Sequence, residues 1–341
     1  MQATVLVTGG NGYVASWAIV DLLRRGYDVR TTLRSLGKEA ALRAAVAKET
    51  GSTERLTCVT ADLLQDDGWD AAMAGCDYVL HVASPLGGGA TGDRESLVAP
   101  ARDGTLRVLR AAVKAGVKRV VMTSAAATTR ARLGSGIASN ETVWADPADP
   151  QFDAYRVSKI RAERAAWDFM AREGGTTEFA TILPGAVFGP ILLPENSGSV
   201  QIIKGLMEGR PAAMPRLGFW IVDVRDLVTA HISAMTEPAA AGQRFLATGD
   251  YLWMEEVATV LRDRLGNRGI KPPTRRLPDL LVRILAPFMP TLRTLAPLVG
   301  IKVETSSAKA RRVLGFNPRP AADTLADCGA DLLDRGMVTP G

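Results

Sequence analysis

Short apolar runs rich in β-branched residues alternate with longer stretches of helical periodicity through the first half of the chain. Residues 3–7 form the first such run, glycines follow, and Val14, Ala18 and Leu22 recur at helical spacing, which predicts a strand, a tight turn and a helix. Gly26 stops that helix. Residues 27–33 read as a second strand ending at Arg34, followed by a helix over about 38–48, strands at 55–60 and 77–82, a helix over about 96–115 and a strand at 117–123. An irregular stretch with Gly134, Gly136, Pro147 and Pro150 leads to a helix carrying Tyr155 and Lys159. Alternation of this kind predicts a parallel sheet covered by helices on both faces. From about Pro184 the rhythm loosens. There 199–208 reads as a helix, 211–219 as a loop and 224–235 as another helix. The expectation is an α/β chain: a doubly wound parallel sheet over residues 1–183, and a smaller, mainly helical C-terminal substrate domain over 184–341. Part of the latter, about 221–235, is expected to pack back on the first domain.

Composition narrows the class. With 341 residues, 47% hydrophobic and 23% charged, the chain can bury a sizeable core and is neither disordered nor fibrous in character. Its net charge of +5 is modest, and the basic residues read as spread along helices with acidic neighbours, which argues against nucleic acid as partner. An anionic cofactor accounts for part of the excess. Cys58, Cys76 and Cys328 are odd in number and form no C-x-x-C pair, so neither a disulfide framework nor a zinc site is expected, and no metal is assigned. With no charged and apolar leader ahead of the first strand, the expected location is cytoplasmic. The apolar segment 280–299 is broken by Pro287, Pro290 and Pro297 and carries Arg283 and Arg293. It reads as a helical lid or second-domain surface rather than an integral span, with peripheral membrane contact as the lesser reading. No internal repeat is present, and a homodimer is compatible with the sequence.

The candidate chemistry begins at Thr8-Gly9-Gly10-Asn11-Gly12-Tyr13-Val14-Ala15. Gly9 and Gly12 permit a tight turn and close approach of a pyrophosphate to a helix N-terminus, and Ala15 permits close helix–strand packing, the opening of a Rossmann dinucleotide fold. Arg34 stands where NAD-preferring chains carry an acid, with Lys38 four residues on, so the cofactor expected is NADP(H). The other reading of Arg34 is a solvated charge. Asp62 and Leu63 follow a strand end where the adenine would lie, although Asp62 could equally cap the next helix. His81, without ligand-spaced partners, reads as a packed strand residue, and Val82, Ala83 and Ser84 leave room for pyrophosphate and ribose. Tyr155 and Lys159 share a helix face, where the ammonium lowers the phenol pKa and equips it to protonate a carbonyl oxygen.

In combination these motifs resemble the extended short-chain dehydrogenase/reductases, in particular the branch of dihydroflavonol reductase, cinnamoyl-CoA reductase and microbial NADPH-dependent aldehyde and ketone reductases. The resemblance covers nearly the whole chain. Besides the residues above it rests on Leu183 to Pro190, Val222 to Asp226 and Lys309 to Pro318. It implies that Tyr155 donates the proton while Lys159 holds the nicotinamide ribose, that Pro184 and Val187 line the nicotinamide, and that Arg34 and Lys38 meet the 2′-phosphate. Gly9, Asn11, Gly12, Tyr13, Val14 and Thr123 complete the implied cofactor surface. One departure stands out: where the family writes two serines after the Thr ending the fifth strand, this chain has Thr123-Ser124-Ala125, so the usual catalytic serine position is Ala125. Ser124 is the catalytic candidate only if the strand turns irregular there, because neighbouring strand residues face opposite ways. Thr123, Thr128 and Thr129 are the other hydroxyls within reach. An uncompensated loss costs about a hundred- to a thousandfold in turnover. A variant with another hydroxyl, an engineered inactive chain and a relative of altered chemistry remain three open explanations.

Phe152, Leu192, Leu193, Met207, Met214, Phe219 and Trp220 are candidate walls of the substrate site or, equally, second-domain core. The leading expectation is a reversible NADPH-dependent reductase of a small carbonyl compound. The alternatives are an NAD-dependent nucleotide-sugar epimerase or dehydratase, for which Arg210 and Arg216 could meet a diphosphate, and a non-catalytic NADP-binding sensor or scaffold.

Overall fold

The computed structural model describes residues 2–85, 96–194, 198–289 and 295–338. Pro290 and Arg293 of the apolar segment lie outside them. The first half follows the expected alternation: β1 (Thr4–Val7), α1 (Tyr13–Arg24), β2 (Asp28–Leu33), α2 (Glu39–Thr50), β3 (Leu56–Thr60), α3 (Trp69–Met73), β4 (Tyr78–His81), α4 (Val98–Lys114), β5 (Arg119–Thr123), α5 (Ala154–Glu173) and β6 (Glu178–Pro184). Beyond it come β7 (Ala186–Phe188), α6 (Val200–Met207), β8 (Ala213–Pro215), β9 (Gly218–Asp223), α7 (Val224–Thr236), β10 (Gln243–Ala247), β11 (Tyr251–Trp253), α8 (Met254–Leu265), β12 (Arg275–Leu277), α9 (Asp279–Leu285), α10 (Ala308–Leu314) and α11 (Ala321–Asp334).

Seven strands form one parallel sheet in the order β10-β6-β5-β4-β1-β2-β3. Its side chains alternate between two cores, as a doubly wound sheet requires. Val5 and Val7 of β1 face α1, α2, α7 and α10, whereas Leu6 faces α3, α4 and α5. The order reverses at β1, so the carboxyl ends of β1 and β4 open onto the crevice where such folds bind ligands. The seventh strand, β10, and the covering helices α7 and α10 come from beyond residue 184. A division at 183/184 therefore runs through the sheet.

The stretch 211–219, read as a loop, contains β8 and the start of β9. Their partners are remote: β8 pairs with β12, and β9 lies between β7 and β11. Strand character there comes from pairing across the second part of the chain, which no local periodicity announces. Gly185 is held at the entry to this small sheet, because a Cβ on it would collide with the backbone carbonyl of Trp220. A separate core of α6, α8 and α11, built on Phe188, Ile203, Leu261 and Leu325, supports these strands. All three cysteines are free thiols.

Candidate active site

The glycine turn is shaped by what touches it. Gly9 has φ +72°, and a Cβ there would stand 3.0 Å from the Ala83 Cβ, so the β1 and β4 ends approach more closely than a side chain allows. Its N–H donates to Thr32 Oγ1 (2.9 Å), the Gly10 N–H to the Thr32 carbonyl (3.0 Å) and the Gly12 N–H to the Gly9 carbonyl (2.8 Å). Gly12 is the extended N-cap of α1, whose first turn has neither a side-chain cap nor an acidic residue. The positive end of the helix is thus left for an anion. Tyr13 contributes differently from the bare motif, since its phenol donates to the Gly189 carbonyl (2.9 Å) and burial raises its pKa well above the usual value. Trp17 donates to Pro190 in parallel (2.8 Å), so α1 holds the Gly189–Pro190 turn. Asn11 is half-buried in the turn, and Val14 packs against the core.

The β4 end is tied to β1 by Thr8, whose Oγ1 accepts from the N–H of Val82 (3.0 Å) and of Ala83 (2.9 Å) and donates to His81 Nδ1 (3.0 Å). His81 Nε2 faces Thr105 Oγ1 at 3.3 Å. Burial, with the charge of Lys159 adding, pushes its pKa down to about 3, so His81 is a neutral spacer in the strand. Ser84 is half-buried just beyond. Among the described residues, no three His, Cys, Asp or Glu side chains converge as a metal site would require. Arg34 and Lys38 are exposed past β2, with no acid between them. Asp62 accepts from the Leu64 N–H (3.0 Å) and closes its own turn rather than capping α3, whose N-cap is Gly68; Leu63 is half-buried beside it.

Tyr155, Lys159 and Glu163 follow one line along α5, which Asp153 caps by accepting from the Arg156 N–H (2.8 Å). Tyr155 keeps 38% of its surface accessible, whereas Lys159 is buried. Lys159 Nζ donates to the Thr123 carbonyl (3.3 Å) and lies 6.0 Å from the Tyr155 ring centre. Burial lowers the Lys159 pKa to about 8, with Glu163 opposing. The Tyr155 pKa was expected to fall. Instead it is raised, first by burial, with Arg156 lowering it and Asp153 raising it. At this separation the ammonium does not outweigh the loss of water around the phenol.

Every hydroxyl offered as a stand-in for the serine at Ala125 is committed elsewhere. Ser124 donates to Glu163 Oε2 (2.6 Å) on the interior side of β5, so the candidate catalytic role for it loses its donor. Thr123 donates to His231 Nε2 (2.7 Å), because His231 Nδ1 donates to the Leu227 carbonyl. Thr128 and Thr129 donate to the carbonyls of Ala125 and Ala126. Sequence reasoning missed the reason for this arrangement, a buried ion pair of Glu163 with Arg244 on β10 (Nε to Oε1, 2.9 Å). Arg244 also donates to the carbonyls of Glu141 and Val143 and to Thr128 Oγ1, and its guanidinium lies 3.6 Å from the Trp144 ring centre. No local signal in the sequence marks it, since the two residues are 81 positions apart.

Two further groups escaped the sequence. Arg130 Nη1 and the Tyr251 hydroxyl are buried without hydrogen-bond partners among the described residues, and each influences the other's ionisation. The Tyr251 ring packs edge-on against Trp220 and Trp253. Of the candidate walls, Phe152, Leu192, Met207 and Met214 are fully committed to hydrophobic cores, and Leu193 and Phe219 are partly so. Trp220 is fixed by donating to the Val303 carbonyl (2.8 Å). Pro184 is buried and Val187 half-buried on β7, at the β6 end of the crevice.

Residues 5–247 match the model of the NAD dependent epimerase/dehydratase family. Tetraketide alpha-pyrone reductase 1 of Arabidopsis thaliana is 30% identical over 99% of this chain and 98% of its own length. Cinnamoyl-CoA reductase CAD2 of Medicago truncatula is 35% identical over 76% of this chain and 80% of its own. Among solved structures, yeast methylglyoxal/isovaleraldehyde reductase Gre2 complexed with NADPH superposes with a TM-score of 0.80 at 25% identity, covering 98% of this chain and 100% of that one.

The two buried histidines set an acid limit. His231 is held neutral by burial with a pKa of about 4, and His81 at about 3, against 6.5 when unfolded. The unfolded state therefore binds protons first as pH falls below 6.5, and stability drops through that window. Calorimetry from pH 7 to pH 4 is expected to show a steady fall in Tm, with His231 alone accounting for roughly 3 kcal/mol. His231→Gln should flatten the slope, and an unchanged slope would remove His231 from the account.

Proposed function

The chain belongs to the NAD-dependent epimerase/dehydratase family of extended short-chain dehydrogenase/reductases, and on that premise we propose that it is an NADPH-dependent reductase of an aldehyde or ketone. The observation that carries this reading is the partly exposed Tyr155 one helical turn from a buried Lys159, whose Nζ donates to the Thr123 carbonyl at the end of β5. The reductase names of the relatives and the NADPH in the similar Gre2 structure support it.

The residues present fit the cofactor. The uncapped α1 start and the side-chain-free floor at Gly9 suit a pyrophosphate, with Asn11, Gly12, Tyr13 and Val14 supplying the turn. Arg34 and Lys38 suit a 2′-phosphate. Asp62 and Leu63 would flank the adenine, Val82, Ala83 and Ser84 the ribose and pyrophosphate, and Thr123, Pro184 and Val187 the nicotinamide end. NADPH, when bound, supplies the hydride. Tyr155 transfers its phenolic proton to the carbonyl oxygen, and Lys159, with a pKa of about 8, is largely protonated at pH 7 and stabilises the phenolate left behind. Its bond to the Thr123 carbonyl holds the ammonium in place for this task.

Tyr155→Phe is expected to lower kcat by about 10²–10⁴-fold while leaving NADPH affinity intact, measured by NADPH oxidation and fluorescence titration. In the same assays Arg34→Ala should raise the KM for NADPH about tenfold or more and leave that for NADH unchanged. Wild-type turnover in the first variant, or equal effects on both cofactors in the second, contradicts the reading.

Ala125 favours a second reading, an NADP-binding protein with little turnover, because none of the neighbouring hydroxyls replaces the missing donor. Ala125→Ser should then raise kcat at least about tenfold. An unchanged kcat would mean that the missing serine does not limit the reaction.

A further inference from the structure

The segment from Arg264 to Lys302 carries eight Lys or Arg and one acid, Asp279, a net charge of +7 within a chain of net +5. The basic excess, read along the sequence as dispersed, is concentrated here, although Arg264, Arg268 and Lys302 are paired with Asp323, Asp334 and Glu304 from outside the segment. On this segment α9 and the turn after it turn only Val282 and Ala286 fully inward, with Val282 packing on Leu217 and Val299. Leu280, Ile284 and Phe288, four apart, are 68%, 53% and 81% exposed, and Leu281, Leu285 and Met289 form a second exposed row beside them. Monomeric proteins seldom leave so continuous an apolar ridge in water.

The charges around the ridge select its occupant. Lys271, Arg275 and Arg283 are exposed and have no partner among the described residues, whereas Asp279 lies between Arg216 (3.9 Å) and Arg276 (3.8 Å) and is offset. A second copy docking by the same face would set two strongly basic surfaces against each other, which opposes an isologous dimer. An anionic bilayer accepts both features at once, apolar side chains below the headgroups and cations against the phosphates. Among the described residues no helix is long and apolar enough to cross a membrane, so the attachment is interfacial. We propose that the α9 edge is a peripheral membrane-binding site for anionic lipid, in which Leu280, Ile284 and Phe288 insert and Lys271, Arg275 and Arg283 hold the headgroups. β12, paired to β8, carries Arg275 at the base of this site.

Vesicle flotation tests it, using the full chain with phosphatidylcholine vesicles that either contain or lack about a third phosphatidylserine. Binding is expected only to the anionic vesicles and should weaken as salt is raised. Leu280→Ser with Ile284→Ser and Phe288→Ser, and separately Arg275→Glu with Arg283→Glu, should each weaken it about tenfold or more while NADPH titration and circular dichroism stay as in the parent. Binding to neither vesicle or equally to both overturns the proposal. So does a concentration-dependent dimer, seen by sedimentation, that the apolar substitutions abolish.

Discussion

The buried pair Arg244–Glu163 is the contact on which the chemistry-bearing end of the molecule depends. Five N–H groups of Arg244 meet two Glu163 oxygens, two backbone carbonyls and the Thr128 hydroxyl. Glu163 in turn accepts from Ser124 and Thr181. One pair thereby joins β10, β6, α5, the end of β5 and the irregular stretch before α5. Such a pair adds little net stability against a hydrophobic substitute, but breaking one half of it costs about 3–5 kcal/mol, which makes it a device for fixing one geometry. What it fixes is the rotation of α5, and with it the placement of Lys159 and Tyr155 one and two turns earlier.

The same pair explains the consequence of Ala125. Thr128 is oriented by Arg244 and closes on the Ala125 carbonyl, and Ser124 is drawn inward to Glu163. The hydroxyls of Thr123, Ser124, Thr128 and Thr129 are therefore engaged in structural hydrogen bonds, which is why the proposed reduction assigns the proton to Tyr155. At the opposite end of the crevice the uncapped positive helix terminus, the side-chain-free floor at Gly9 and the exposed Arg34 share one property, positive potential without an acid in the first helical turn, which suits the anionic cofactor proposed.

Legibility in the sequence followed the range of the interactions. The βα rhythm, the glycine turn and the Tyr155–Lys159 spacing are local patterns, and five of the seven sheet strands were read from them, β6 (Glu178–Pro184) being passed over. β10 could not be read, because it belongs to the sheet only by pairing with β6 after an excursion through the second part of the chain. β8 and β9 were hidden for the same reason. The Glu163–Arg244 pair spans 81 positions, and neither residue's neighbours mark it as buried. The exposed face of α9 was half legible, since its apolar character is plain in the sequence, but which residues turn inward is decided by Leu217 and Val299. The Tyr155 pKa ran opposite to expectation because burial, invisible in the spacing, outweighs the cation.

Reduction of a carbonyl group in this crevice would leave an isotopic mark on the product. The measurement is incubation of the protein with each of the two C4-deuterated epimers of NADPH and a panel of aliphatic and aromatic aldehydes and ketones, with mass spectrometry of the products. The expected product is an alcohol carrying one deuterium on the former carbonyl carbon, formed from one of the two epimers only. Tight NADPH binding with no labelled alcohol from any member of the panel would contradict carbonyl reduction.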